Sequence, residues 1–182
     1  MPNSISEKPA TSKANRMMHE IMKKTCITIL MHFMFQLIHA QSPGFIDAKA
    51  WGGRGDDRAN TIATDAQGNV VIAGRFRSAV IPYGKRKLIN ADSPSADIFI
   101  IKQNAKGKVR WALRAGGKGD DDATCCKTDA KGNIIVVGWF ECPQLIFGKM
   151  VVTNTNPGKG CEFFIVKISP EGECLWARSA GC

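Results

Sequence analysis

The chain has 182 residues, 44% of them hydrophobic and 23% charged, and a formal net charge of +9. Length alone allows one ordinary domain. Residues 1–40 hold Lys8, Lys13, Arg16, Lys23 and Lys24 against Glu7 and Glu20, so five cations less two acids leave +6 for the rest. No basic run there exceeds Lys85 to Lys87, and nucleic-acid binding would interleave cations with aromatics. The charge reads as a solvated basic surface, and no nucleic-acid partner is expected.

Residues 1–21 are polar and lack periodicity, and they read as an N-terminal extension. Residues 22–40 read as a signal peptide: Lys23 and Lys24, then an apolar stretch, then small Ala40 before Gln41. The apolar core is short for a bilayer and is broken by His32 and Gln36, which disfavours the rival reading as a membrane anchor. Translation is expected to start at Met17, Met18 or Met22. The expected location is secreted or at the cell envelope.

Beyond the leader the chain repeats itself. Asp65 to Asn69 is turn chemistry, since Asp binds its own backbone and Gly68 and Asn69 tolerate positive φ. Val70 to Ala73 is then an apolar, β-prone run ended by Gly74, expected to be buried on both sides. With the weakly alternating 59–64 before it, this predicts a hairpin. The pattern returns 64 positions later, from Asp129 to Phe140. Gly52 to Asp57 matches Gly116 to Asp121, and Tyr83-Gly84 matches Phe147-Gly148. Asp97 to Lys102 matches Glu162 to Lys167, and Asn104 to Trp111 matches Ser169 to Trp176.

Each unit therefore holds two hairpins. A recurring four-stranded antiparallel unit predicts the blade of a β-propeller. Residues 45–51 align with the last strand of a unit, 109–115. The expected division is 45–115 for that strand plus blade 1, and 116–182 for blade 2. The intervening segments 77–96 and 141–161 read as long surface loops. Two blades cannot close a ring. The options are a piece of a longer protein, copies that assemble to complete the ring, or a face-to-face sandwich.

All six cysteines beyond Cys26 lie in the second unit, an even count that favours disulfides in an exported chain. Cys142 follows a second strand and Cys161 precedes a third, and antiparallel pairing brings those ends together. A Cys142–Cys161 bridge is expected. Cys125 and Cys126 are adjacent on one strand and point to opposite faces. All three histidines fall within residues 1–40, which leaves none for a catalytic triad or a histidine-ligated metal.

The pairs Asp56, Asp57 and Asp120, Asp121 are weak calcium candidates. Their recurrence in both units favours a structural turn over a catalytic pair. Trp111 and Trp176 recur together, which favours packing between blades. Trp139 has Arg75 as its counterpart, and this variation favours exposure or binding.

Taken together, five ordered motifs occurring twice between residues 45 and 182 resemble the SBBP repeats of secreted and cell-surface bacterial proteins. They run Gly-Gly-x-Gly-Asp-Asp, Asp-x-x-Gly-Asn before an apolar run, aromatic-Gly, acidic-x-Phe-Ile-x-Lys, and x-Gly-x-x-x-Trp. The resemblance implies an all-β, propeller-type fold and export, and it implies little about activity. The expected function is a non-enzymatic scaffold or protein- or glycan-binding module without a cofactor, and homo-oligomerisation is one route to a ring. The alternatives are part of a quinoprotein- or glycosidase-like propeller enzyme, or a truncated gene remnant.

Overall fold

The computed structural model describes residues 10–36 and 48–181. The chain divides into two compact units, 1–48 and 49–182. The first contains one helix, α1 (Ala10–Gln36). It starts well before the expected signal peptide, because Ala, Lys, Glu and Met between 10 and 23 are good helix formers despite the lack of an apolar stripe. The expected cleavage point at Ala40 lies outside the described residues. Among the described residues no helix is long and apolar enough to cross a membrane.

The second unit is all-β. Blade 1 comprises β1 (Asp57–Thr64), β2 (Val70–Phe76), a hairpin of β3 (Val80–Tyr83) and β4 (Arg86–Ile89), then β5 (Asp97–Gln103) and β6 (Val109–Ala115). Blade 2 repeats this as β7 (Asp121–Thr128), β8 (Ile134–Phe140), β9 (Gln144–Phe147), β10 (Met150–Thr153), β11 (Glu162–Ile168) and β12 (Cys174–Ala180). The main sheets run β1-β2-β5-β6 and β7-β8-β11-β12, antiparallel throughout. These are two tandem blades of β-propeller type, an incomplete propeller. Of the expected strand at 45–51, residues 45–47 lie outside the described residues, and 48–51 form no strand.

One device builds the turns. Asp65 Oδ1 accepts the N–H groups of Gln67 and Asn69, and its Oδ2 accepts the Asn69 side chain at 2.8 Å. Gly68 takes a φ of 74° to close the loop. Asp129 does the same for Lys131 and Asn133. Asn104 and Ser169 serve the β5–β6 and β11–β12 turns in like manner.

The segments 77–96 and 141–161 are not plain loops. Each carries a hairpin whose alternate residues are buried: Ile81, Tyr83 and Leu88 in one, Leu145, Phe147 and Val152 in the other. The aromatic-Gly pair common to both repeats is the hairpin turn, with φ of 59° at Gly84 and 62° at Gly148. Buried alternation over four residues is a weak sequence signal beside the Pro, Asn and Lys that surround it.

The expectation of burial on both sides fits β5, whose residues are all buried, better than β2, which alternates. An edge-to-face pair of Phe76 and Phe99, with centroids 6.5 Å apart, recurs as Phe140 and Phe164 at 6.4 Å.

Each first strand is bulged, between Ala59 and Thr61 and between Ala123 and Cys125. Opposite the bulges stand Gly74 and Gly138. A Cβ there would sit 2.0 Å from the carbonyl oxygen of Arg58 or Asp122, so only glycine fits. Gly74→Ala and Gly138→Ala should each cost about 1–3 kcal/mol in chemical denaturation. Gly160→Ala, which meets open space, should cost less than about 0.5 kcal/mol.

Candidate functional site

Blade 1 packs one sheet face against blade 2, with its β2 and β5 positions fully buried there. Val71 and Ala73 of β2 and Ile98 and Ile100 of β5 are all fully buried, in one cluster with Ala123, Cys126, Ile134 and Val136 of blade 2. Polar contacts fasten the same junction. Trp111 Nε1 donates to the Pro170 carbonyl at 2.9 Å, and the indole lies against Gly172. Lys102, itself buried, pairs with Asp65 at 3.1 Å and reaches the Pro170 carbonyl at 3.4 Å. At the first strands, Asn60 bonds Asp122 and the Ala123 carbonyl, and Cys126 N–H donates to Thr61 Oγ1 at 3.0 Å. The expected role of Trp111 in packing between blades is what the structure shows.

Among the described residues, the same face of blade 2 has no cover. By repeat register, Ile135, Val137, Phe163 and Ile165 occupy the places of Val71, Ala73, Ile98 and Ile100. Phe163 is 58% exposed and Ile165 36%, and Ile135, Val137 and Trp139 are half-buried. Trp139 lies across from Phe163 in the sheet. In blade 1 its counterpart Arg75 faces the junction, 3.7 Å from Asp122.

The opposite face of blade 1 is also partly open. Ile62 is 66% exposed, whereas its counterpart Cys126 is 1% exposed. A 260 Å³ hollow there is lined by Trp51, Ile72, Ile81, Phe99 and Ile101, among others. The two open faces thus present the same two halves that meet inside the molecule. The repeated sequence motifs do not show this, because they read alike whether or not a neighbour covers them.

The acidic pairs serve as latches. Asp57 accepts the N–H groups of Gly53, Arg77 and Ser78 and the Ser78 hydroxyl at 2.6 Å. Asp121 accepts those of Gly117, Glu141 and Cys142. Each ties the loop before its first strand to the end of its second strand. Asp56 pairs with Arg58 at 2.9 Å, and Asp120 holds Ala96 N–H and the Arg77 guanidinium. All four calcium candidates thus take part in hydrogen bonds or ion pairs within the fold. Among the described residues no three carboxylate, thiol or imidazole groups gather where an ion could bind.

The expected Cys142–Cys161 bridge is not formed. Cys142 is a buried thiol whose Sγ–H donates to the Gln144 carbonyl at 3.2 Å. The chain after Cys142 turns at once into β9, so this end of β8 is occupied by the inserted hairpin.

The two latch aspartates differ in environment: Asp121 is the more deeply buried, and it meets Cys142 where Asp57 meets the Ser78 hydroxyl. Burial, which alone would raise the Asp57 pKa, is outweighed by the Ser78 hydroxyl and three backbone N–H groups, and it falls below the ordinary value. Burial pushes Asp121 up to about 6 despite three backbone N–H groups and the Cys142 thiol. Burial and the neighbouring Asp121 also push the Cys142 thiol well above its usual range.

For Asp121 the folded chain keeps a proton that the unfolded chain has released, so this group weakens folding as pH rises from about 4 to about 6. For Asp57 the loss comes as pH falls below about 4. Carboxyl-carbon NMR titration should give Asp121 a midpoint near 6 and Asp57 one below the ordinary value. Cys142→Ser, which restores the stronger hydroxyl donor, should lower the Asp121 midpoint toward that of Asp57.

No family model matches the chain. An uncharacterized WD repeat-containing protein of Acanthamoeba polyphaga mimivirus is 30% identical over 135 residues, covering 64% of this chain and 9% of that protein. The regulatory protein FlaEY of Caulobacter vibrioides is 28% identical over 92 residues, covering 50% of this chain and 10% of that protein. The chain spans about a tenth of each of these relatives. WD repeats fold as four-stranded propeller blades, which agrees with the two sheets here, and the chain is a propeller-like repeat module.

Proposed function

We propose that the chain is an exported, non-enzymatic scaffold module of the SBBP repeat type, each of whose two open blade faces takes a further blade. The observation that carries this is the exposed face of Phe163 and Ile165, whose counterparts Ile98 and Ile100 are fully buried by a following blade. What covers such a face inside the molecule is a blade presenting the residues that Ile62 and Ile72 represent in blade 1. A second copy offers that surface, as would a further blade of a longer polypeptide. A junction between unlike faces repeats around a ring until it closes.

Export rests on the signal-peptide pattern of residues 22–40. The non-enzymatic reading rests on the lack of histidine after residue 40 and on latches whose carboxylates are engaged in holding loops.

Propellers close with about 4–8 blades, so if copies alone supply the missing blades the ring holds two to four of them. Light scattering on the full chain should give that multiple of 19.8 kDa. Phe163→Asp and Ile62→Arg lie on opposite faces, and each alone should prevent closure and shift the mass to smaller species. A wild-type chain that is folded and monomeric at micromolar concentration would rule out self-assembly.

A further inference from the structure

Each blade carries a groove at its outer edge, between the aromatic-Gly hairpin turn and the turn joining its last two strands. In blade 2 it is lined by Leu113, Phe147, Lys149, Met150, Glu173 and Cys174, among others. In blade 1 the equivalent groove is larger, about 630 Å³, and its chemistry differs. Lys49, Lys85, Arg86, Lys108 and Arg110 line it, with no carboxylate among the lining residues. By repeat register the places of Arg86, Lys108 and Arg110 hold Met150, Glu173 and Leu175 in blade 2. The fold therefore does not require the cations.

The side chains of Lys85, Arg86, Lys108 and Arg110 are exposed and form no ion pair among the described residues. These four like charges around one groove repel one another without an anion to share. The cations come from three stretches of sequence that the fold brings together.

Trp51 and Tyr83 also line this groove. Tyr83 is only 9% exposed, and Trp51 is half-buried against the core that holds Phe99 and Ile101. The site thus offers one partly exposed aromatic flank beside a row of cations. Single-stranded nucleic acid would want several free rings on which successive bases stack. A chain of sugars needs only an apolar wall for a ring face and cations for its acidic groups, and guanidinium forks match carboxylates in two-point contacts.

From this we infer that the outer groove of blade 1 binds an acidic polysaccharide. The groove shares Lys49 and Trp51 with the hollow on the open face of blade 1, but Lys85, Arg86, Lys108 and Arg110 lie outside that hollow. The equivalent groove of blade 2 includes Leu113 of the blade docked beside it and is still open, so a neighbouring blade does not fill it.

The test is calorimetric titration of the full chain with polygalacturonate oligosaccharides, with neutral dextran and a single-stranded oligonucleotide of matched charge alongside. The triple variant Arg86→Met, Lys108→Glu, Arg110→Leu installs residues that the fold already carries in blade 2. It should keep its circular dichroism spectrum and lose polygalacturonate affinity about tenfold or more, the consequence of removing three charged contacts. Arg110→Leu alone, at an exposed position, should give a smaller loss in the same direction, and Lys149→Glu in the blade 2 groove should change nothing. Retention of affinity within about twofold by a folded triple variant would overturn the inference, because charge-assisted contacts of this kind are not silent when removed. So would equal binding of dextran, or tighter binding of the oligonucleotide.

Discussion

The structure depends on one constraint: a blade cannot hide both faces of its own sheet. Val71, Ala73, Ile98 and Ile100 are removed from water only because blade 2 lies on them. Burying four aliphatic side chains of this size contributes several kcal/mol, a large part of the stability of any small domain. Direction is set by the polar contacts at the margin. Trp111 and Lys102 both reach the Pro170 carbonyl, one at 2.9 Å and the other at 3.4 Å, so the β11–β12 turn seats against blade 1 in one register. The consequence is an unequal pair. Blade 1 is covered on the side that blade 2 leaves bare, and the bare side of each is the half that the other lacks.

Much of the fold was legible because turn chemistry in this chain is explicit. Asp65 and Asp129 fix their hairpins through the same three kinds of hydrogen bond, and the strands follow from the apolar runs beyond. The inserted hairpins were missed because Ile81 and Tyr83 alternate with Pro82 and Gly84 over too short a span to outweigh the polar residues around them. The helix from Ala10 was missed because good helix formers without an apolar stripe leave no periodic mark. The bridge expected between Cys142 and Cys161 followed from the pairing of β8 with β11, but not from the path of the chain, which leaves Cys142 directly for β9.

The functional surfaces were the least legible part, for two separate reasons. The open face of Phe163 and Ile165 has the same sequence character as its buried counterpart, and only a neighbour distinguishes them. The basic groove is assembled from residues 49, 85–86, 108 and 110, whose separation hides it from any search for a charged run. In sequence, Lys85 to Lys87 read as ordinary surface charge, and Trp51 as the end of a strand. Trp139 was the one faint signal that survived. It differs from Arg75 between repeats, and it stands on the open face opposite Phe163. Differences between two copies of a repeat are informative here because the fold holds everything else constant. Where the copies agree, as in the latches of Asp57 and Asp121, the shared residue maintains the fold. Where they differ, as Ser78 and Cys142 or Arg86 and Met150 do, the fold permits either residue, and the choice has another cause.

The central claim is that each blade is stabilised chiefly by a neighbouring blade. Native-state hydrogen exchange at single-residue resolution tests it most directly, by comparing the slowest amides of β2 and β5 with those of β8 and β11 in the Phe163→Asp chain, which lacks the outer contact. If the claim is right, both sets open together with one free energy, because blade 1 loses its cover whenever blade 2 unfolds. If β8 and β11 exchange through an opening that leaves β2 and β5 fully protected, blade 1 stands without its neighbour and the claim is wrong.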